Sequence, residues 1–160
     1  MHILHVIPSI ASRQGGPTYA LKAMTKELVR NGYACTVVTT DFDLDGEAPY
    51  GFESQVTIHV FKSLDQKQYP LSLSLAWWMF QNIQKYDLVH VHAFFTGTTL
   101  AASLFAALRK VPYILRPLGT LDPWSLEQKS AKKKVYLDLI GRRMLSSAAA
   151  IHVTSDQEER

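Results

Sequence analysis

Short apolar runs alternate with longer stretches of helical period along the chain. Ile3-Leu4-His5-Val6-Ile7 is a compact apolar run halted by Pro8, the pattern of a buried parallel strand that cannot run past a proline. Between Thr18 and Arg30, Tyr19 (or Ala20), Ala23, Met24, Leu28 and Val29 recur along one side, with Lys22, Lys26, Glu27 and Arg30 elsewhere. That spacing predicts an amphipathic helix, ended by Asn31-Gly32, residues that tolerate the left-handed conformation. Cys35 to Thr40 is β-branched and reads as the second strand, and Val56 to Phe61 alternates as the third. Phe42 to Ser54, between them, carries Asp43, Asp45, Gly46, Glu47, Pro49 and Gly51 and reads as a loop.

The polar stretch Lys62 to Pro70 precedes a helix predicted over Leu71 to Lys85. Its Leu73, Leu75, Trp77, Trp78, Met79 and Phe80 are expected to be mostly core. Adjacent tryptophans cannot both face one way, so one is expected to form a lip over a pocket or a membrane-facing edge. Asp87 to Val91 is the fourth strand, nearly unbroken in apolar residues, as a strand covered on both faces would be. Thr96-Gly97-Thr98 opens a helix through Leu100 to Leu108, and Pro112 to Leu115 is the fifth strand. Lys129 to Ser146 is helical, with Leu137, Ile140, Met144 and Leu145 inward; Ala149 to Val153 is the sixth strand. Thr154-Ser155-Asp156-Gln157-Glu158 reads as a capped helix start. Strand and helix in this alternation predict an α/β, Rossmann-like doubly wound parallel sheet.

With 160 residues, 47% hydrophobic and 19% charged, the chain fits one soluble domain, neither disordered nor membrane-spanning. Leu71 to Phe80 and Leu100 to Leu108 are too short to cross a bilayer. A single cysteine, Cys35, excludes an internal disulfide and fits a reducing, cytoplasmic setting. The mild net charge of +3 does not select a nucleic-acid partner. The basic residues cluster on one late helix without interleaved stacking aromatics, so no nucleic acid is expected.

Candidate chemistry lies where strands end. Gly15 and Gly16 precede Pro17, which suits the first turn of a helix. Glycines there let the backbone approach a ligand, and the helix start aims free N–H groups at it, a place for a phosphate. The same pair also reads simply as a tight strand-to-helix turn. Asp41 ends the second strand, where a dinucleotide site places an acid, but the G-x-G-x-x-G spacing is missing. Asp41 is therefore read as a strand-end or cap residue. The acidic residues of Phe42 to Ser54 lack the spacing of a calcium loop. His90 and His92 alternate with valines and point to one side; His90 is expected to be a hydrogen-bonded core histidine, and His92 falls at the strand's carboxyl end. No cysteine or carboxylate joins them at metal-ligand spacing, so no metal is expected. Arg116-Pro117-Leu118-Gly119-Thr120-Leu121-Asp122-Pro123-Trp124 describes a shaped, rigid loop. Arg116 either grips a phosphate or carboxylate with its fork of donors or pairs with Asp122 to fix the loop.

With these loops in view, the chain resembles the N-terminal domain of retaining GT-B glycosyltransferases of family 4. The matching parts are Ile3-Leu4-His5-Val6-Ile7-Pro8 with Gly15-Gly16-Pro17, Asp87-Leu88-Val89-His90-Val91-His92, the Arg116 to Trp124 loop with its lysine-rich sequel, and Ile151-His152-Val153-Thr154-Ser155. The third resembles the version in enzymes that build bacterial exopolysaccharide, lipopolysaccharide or other envelope glycans. Many relatives place a histidine in the loop after the fifth strand, where this chain has Arg116-Pro117-Leu118.

The resemblance implies that residues 1–160 are the acceptor-side half of a two-domain enzyme, with a C-terminal donor-binding domain beyond them. It implies transfer of a hexose from a nucleotide-sugar, UDP-glucose in the first instance, to a glycan or glycolipid acceptor with retention and without a metal. Gly15, Gly16 and Pro17 would lie at the donor diphosphate, His92 near the acceptor or transferred sugar, and Arg116, Gly119, Thr120 and Asp122 in substrate binding. The Lys129–Lys134 run is expected to offer a peripheral membrane contact at the cytoplasmic face. Two rival readings are a nucleotide- or sugar-binding half-site without turnover and, disfavoured by the missing glycine fingerprint, an NAD-dependent oxidoreductase.

Overall fold

In a computed structural model of the chain, residues 1–44, 51–64, 70–121, 125, 130–155 and 158 are described. The strands are β1 (His2–Val6), β2 (Ala34–Thr40), β3 (Thr57–Phe61), β4 (Leu88–His92), β5 (Tyr113–Arg116) and β6 (Ala150–Ile151). All pair parallel in the order β3-β2-β1-β4-β5-β6. The chain builds outward from β1 to β3, then crosses back to lay β4 on the other side of β1. The carboxyl ends of β1 and β4 thus flank the point where strand order reverses, the crevice in which open α/β sheets bind ligands.

Helices α1 (Gly16–Arg30), α2 (Leu73–Asn82), α3 (Gly97–Arg109), α4 (Ser130–Tyr136) and α5 (Arg142–Ser147) cover the sheet. Ile7, Cys35 and Val37 pack with Leu21 of α1 on one face. Leu4, Val6, Val89, Val91, Tyr113 and Leu115 pack with Leu75 and Met79 of α2 and Ala102 and Ala106 of α3 on the other. Alternate residues of β1 therefore belong to opposite cores, as a strand covered on both faces requires.

The inward stripe of α1 differs from the apolar pattern. Thr18, Leu21 and Thr25 are the buried residues, and Tyr19 points to solvent. Both threonines enter the core because their hydroxyls are satisfied locally, Thr18 donating to the Ala11 carbonyl and Thr25 to those of Leu21 and Lys22. In α2 the tryptophans divide as expected: Trp78 packs on His59, Phe61 and Tyr86, and Trp77 is 61% exposed. Ser72 caps the helix by accepting from the Leu75 amide, and a 3-10 turn over Ile83–Lys85 replaces its expected last turn.

The helix expected up to Ser146 is interrupted by a π turn, Leu137–Gly141, between α4 and α5. Leu137, Ile140, Met144 and Leu145 still face the core. Gly141 is buried here, and a Cβ on it would meet Leu137 Cδ2 at 2.9 Å and the Phe94 ring at 3.1 Å. Phe94 is fully buried and has little room to yield. Gly141→Ala is therefore expected to destabilise the fold by about 1–3 kcal/mol despite the better helix propensity of alanine. Urea denaturation checks this; an unchanged or raised midpoint would mean that the π turn relaxes freely.

Candidate functional site

Three loops meet at the carboxyl edge of the central strands. The first leaves β1 through a 3-10 turn, Ser12–Gln14, and reaches Gly15 at φ 65°, ψ −122°. Only glycine adopts that combination without strain. Gly16 then begins α1, with Pro17 in its first turn. The Gly15 amide donates to Ser12, whereas those of Gly16 and Thr18 have no acceptor among the described residues. Gly16 is exposed, and a Cβ on Gly15 or Gly16 would meet nothing within 4 Å. The cradle read from the sequence is thus open. Asp43, itself at φ 63°, braces it by accepting from Arg13 at 2.6 Å and from Gln14. Asp41 serves as the expected cap, accepting from the Ser63 amide at 2.7 Å and tying the segment after β3 to the end of β2.

The second and third loops carry backbone strain in non-glycine residues. Ala93, directly after β4, has φ 74°, and its amide donates to the Arg116 carbonyl. After β5, Leu118 at φ 61° and Gly119 at φ 72° form a turn closed by the Thr120 amide and hydroxyl, both donating to the Pro117 carbonyl. A leucine held left-handed costs free energy that the surroundings must supply, and such residues cluster at functional loops. The brace is Glu158. Its carboxylate accepts from the Gly119 amide at 2.6 Å and from the Thr154 amide and hydroxyl, while its own amide donates to the Ser155 hydroxyl. The last bond is the N-cap read from the sequence. Asp122 and Lys129 lie outside the described residues.

Beneath these loops the strand register assembles a group of imidazoles. His5 pairs with His90, and His92 with Arg116, so all four side chains share the α1 face of the sheet. His5 Nδ1 and His92 Nε2 are 3.2 Å apart in a hydrogen bond. The His90 ring lies 4.3 Å from that of His92 and 5.5 Å from that of His152. His92 has no solvent exposure, so the residue expected nearest the sugar is covered in this arrangement. His90 is a core residue as expected, but its Nε2 has no hydrogen-bond partner among the described residues, and neither have His5 Nε2 and His92 Nδ1. Burial pushes the His5 pKa down to about 4 and that of His90 to about 3, and holds His92 well below its ordinary value. The rings are neutral at pH 7. Arg116, 9% exposed, leaves Nε and Nη1 without partners among the described residues. Burial lowers its pKa, and the Glu158 charge opposes that.

His5, His90 and His92 offer ring nitrogens within 4.8 Å of one another, a set able to converge on one divalent cation. The neighbouring Arg116 charge, which already acts on His90 and His92, would oppose a cation there. An anion beside Arg116 is the better electrostatic match. His5 escaped the sequence reading because it sat inside an apolar run. The available signal was topological: a doubly wound sheet sets the first strand beside the fourth, which carries the other two histidines.

This edge, with its sheet order, defines a Rossmann-like α/β domain. The family model of the Glycosyl transferase 4-like domain matches residues 15–160, and the chain belongs to that family. No curated protein matches the chain. Among solved structures it is similar to one from Listeria monocytogenes described as a UDP-N-acetylglucosamine 2-epimerase, with 14% identity and a TM-score of 0.59. The match covers 99% of this chain and 40% of that structure, so the chain spans two fifths of its length.

Proposed function

We propose that this chain is the acceptor-side half of a retaining glycosyltransferase that moves a hexose from a nucleotide-sugar, UDP-glucose first, to a saccharide or lipid-linked acceptor in polysaccharide synthesis. Family membership supports the reaction class. The observation that carries the site is the open Gly15-Gly16 turn with the undirected amide of exposed Gly16, on the same sheet edge as a buried Arg116 with spare donors. In the reaction, the acceptor hydroxyl oxygen bonds to the anomeric carbon as the bond from that carbon to the diphosphate oxygen breaks. The acceptor proton passes to the departing diphosphate. Charge grows on that diphosphate, and the exposed Gly16 amide at the positive end of α1 stabilises it without reorganising. Arg116 supplies a second fixed positive charge, to a phosphate or to an acceptor carboxylate. Gly119 and Thr120 shape the acceptor side, their turn held by Glu158. His92 orients His5 through their hydrogen bond, and reaches the sugar itself only if the side chains covering it move. This scheme needs no metal.

The test is a crystal soak and a calorimetric titration with UDP and UDP-glucose. The pyrophosphate is expected at the first turn of α1, and Arg116→Leu is expected to weaken binding at least tenfold. A pyrophosphate bound elsewhere, or equal affinity in the variant, would remove these residues from the site. The full burial of His92, the side chain expected nearest the sugar, favours a second reading, a half-site that binds without turnover. UDP binding with neither transfer nor UDP-sugar hydrolysis, and transfer regained on joining a donor-binding domain, distinguishes the two.

A further inference from the structure

We infer that the outer face of α2 and α3 is a membrane-docking surface that seats on anionic lipid. Leu73, Trp77 and Phe80 follow one another at helical spacing along the exposed side of α2, at 66%, 61% and 41% exposure. Trp77 stacks on Phe80, and Phe80 meets the edge of Phe105 on α3 at 5.8 Å. Leu104 and Leu108 continue the strip along α3, both exposed. A groove of about 340 Å³ lies between Leu73, Trp77, Phe80 and Phe105. Contiguous apolar surface of this kind, formed by two helices that already bury their other sides, marks an interaction site rather than scattered exposure.

The charges around the strip identify its occupant. Neither α2 nor α3 contains a carboxylate. Arg109 lies over the Phe80 ring at 4.5 Å, Lys85 is exposed just past α2, and Lys110 and Arg143 flank Leu104 and Leu108 in a second groove. The nearest acid along the chain, Asp87, is engaged by the His2 amide. A second copy docked here about a two-fold axis would set bases against bases, with no acid on either helix to relieve them. An anionic bilayer surface neutralises that rim while taking the aromatic and aliphatic strip into its interfacial layer, where tryptophan partitions well. The Lys129–Lys134 run expected from the sequence is a weaker candidate. Its Lys133 is turned back on the chain, bonded to Ser125 and lying over the Phe95 ring at 5.1 Å. This surface is independent of the nucleotide-sugar reading, because no residue of the Gly15–Arg116 edge takes part in it.

The experiment is co-sedimentation of the whole chain with vesicles of phosphatidylglycerol and phosphatidylcholine, about one to two, against vesicles of phosphatidylcholine alone. Binding only to the anionic vesicles is expected, weakening as salt rises, with a blue shift of tryptophan emission that Trp77→Phe removes. Trp77→Ser with Leu108→Ser is expected to cut partitioning at least tenfold, and Lys110→Gln with Arg143→Gln several-fold. All four positions are exposed, so thermal midpoints should stay near that of the parent. Equal partitioning into both vesicle types, or vesicle binding that the Trp77/Leu108 variant leaves intact, overturns the proposal. A dimer in light scattering that Trp77→Ser dissolves, without vesicle binding, overturns it in favour of a second copy.

Discussion

Acidifying the protein from pH 6.5 toward pH 4 is expected to lower its stability steeply, before its carboxylates have largely titrated. His5, His90 and His92 are buried as neutral imidazoles with depressed pKa values. In the unfolded chain the same groups protonate below about pH 6.5. The unfolded state therefore binds more protons throughout this window, and stability falls with falling pH. The contribution is fully present above pH 6.5 and is lost progressively toward the folded values, about 4 for His5 and about 3 for His90. Each histidine adds up to about 1.4 kcal/mol per pH unit once its unfolded form is protonated. Three together give a slope near 4 kcal/mol per unit, on the order of 10 °C in Tm for a domain of this size. Calorimetry from pH 7 to pH 4.5 measures the slope, and His90→Leu should reduce it by about a third. A flat profile would mean that water reaches the cluster and that the rings protonate in place.

The second large effect is on ligand binding, and it separates two neighbouring glycines. Gly16→Val is expected to abolish measurable UDP binding while moving the thermal midpoint little. Its backbone is helical, and the new side chain enters open space where the pyrophosphate is expected. Gly15→Val meets the same open space but must hold φ 65°, ψ −122°. It should cost on the order of 1–3 kcal/mol of stability as well as affinity. Titration of both variants alongside thermal unfolding reads the two effects separately. Unchanged affinity in Gly16→Val would move the phosphate away from this turn. If both variants unfolded alike, Gly16 would be structural rather than a point of close approach.

Much of the fold was legible because the relevant physics is local. The breaks at Pro8 and Asn31-Gly32, and the β-branched run before Asp41, act on the residues beside them. The open cradle was legible for the same reason: glycine pairs and helix starts declare themselves within a few residues. The Thr18 and Thr25 face of α1 was not, because threonine reads as polar until a carbonyl is found for its hydroxyl. The π turn at Gly141 was hidden as well, since the Phe94 ring it accommodates arrives from a loop far away in the chain.

By itself the sequence determined the alternation of strands and helices, the turn before α1 and the identity of the basic and histidine side chains available for chemistry. Tertiary structure alone decided which of them meet. His5 and His90 are neighbours only because β4 crosses back to lie against β1, and Arg116 joins them only because β5 follows in parallel register. Which apolar residues of α2 and α3 stay uncovered was likewise a matter of packing, since a helix of mostly apolar residues does not declare its outer side until its neighbours are in place.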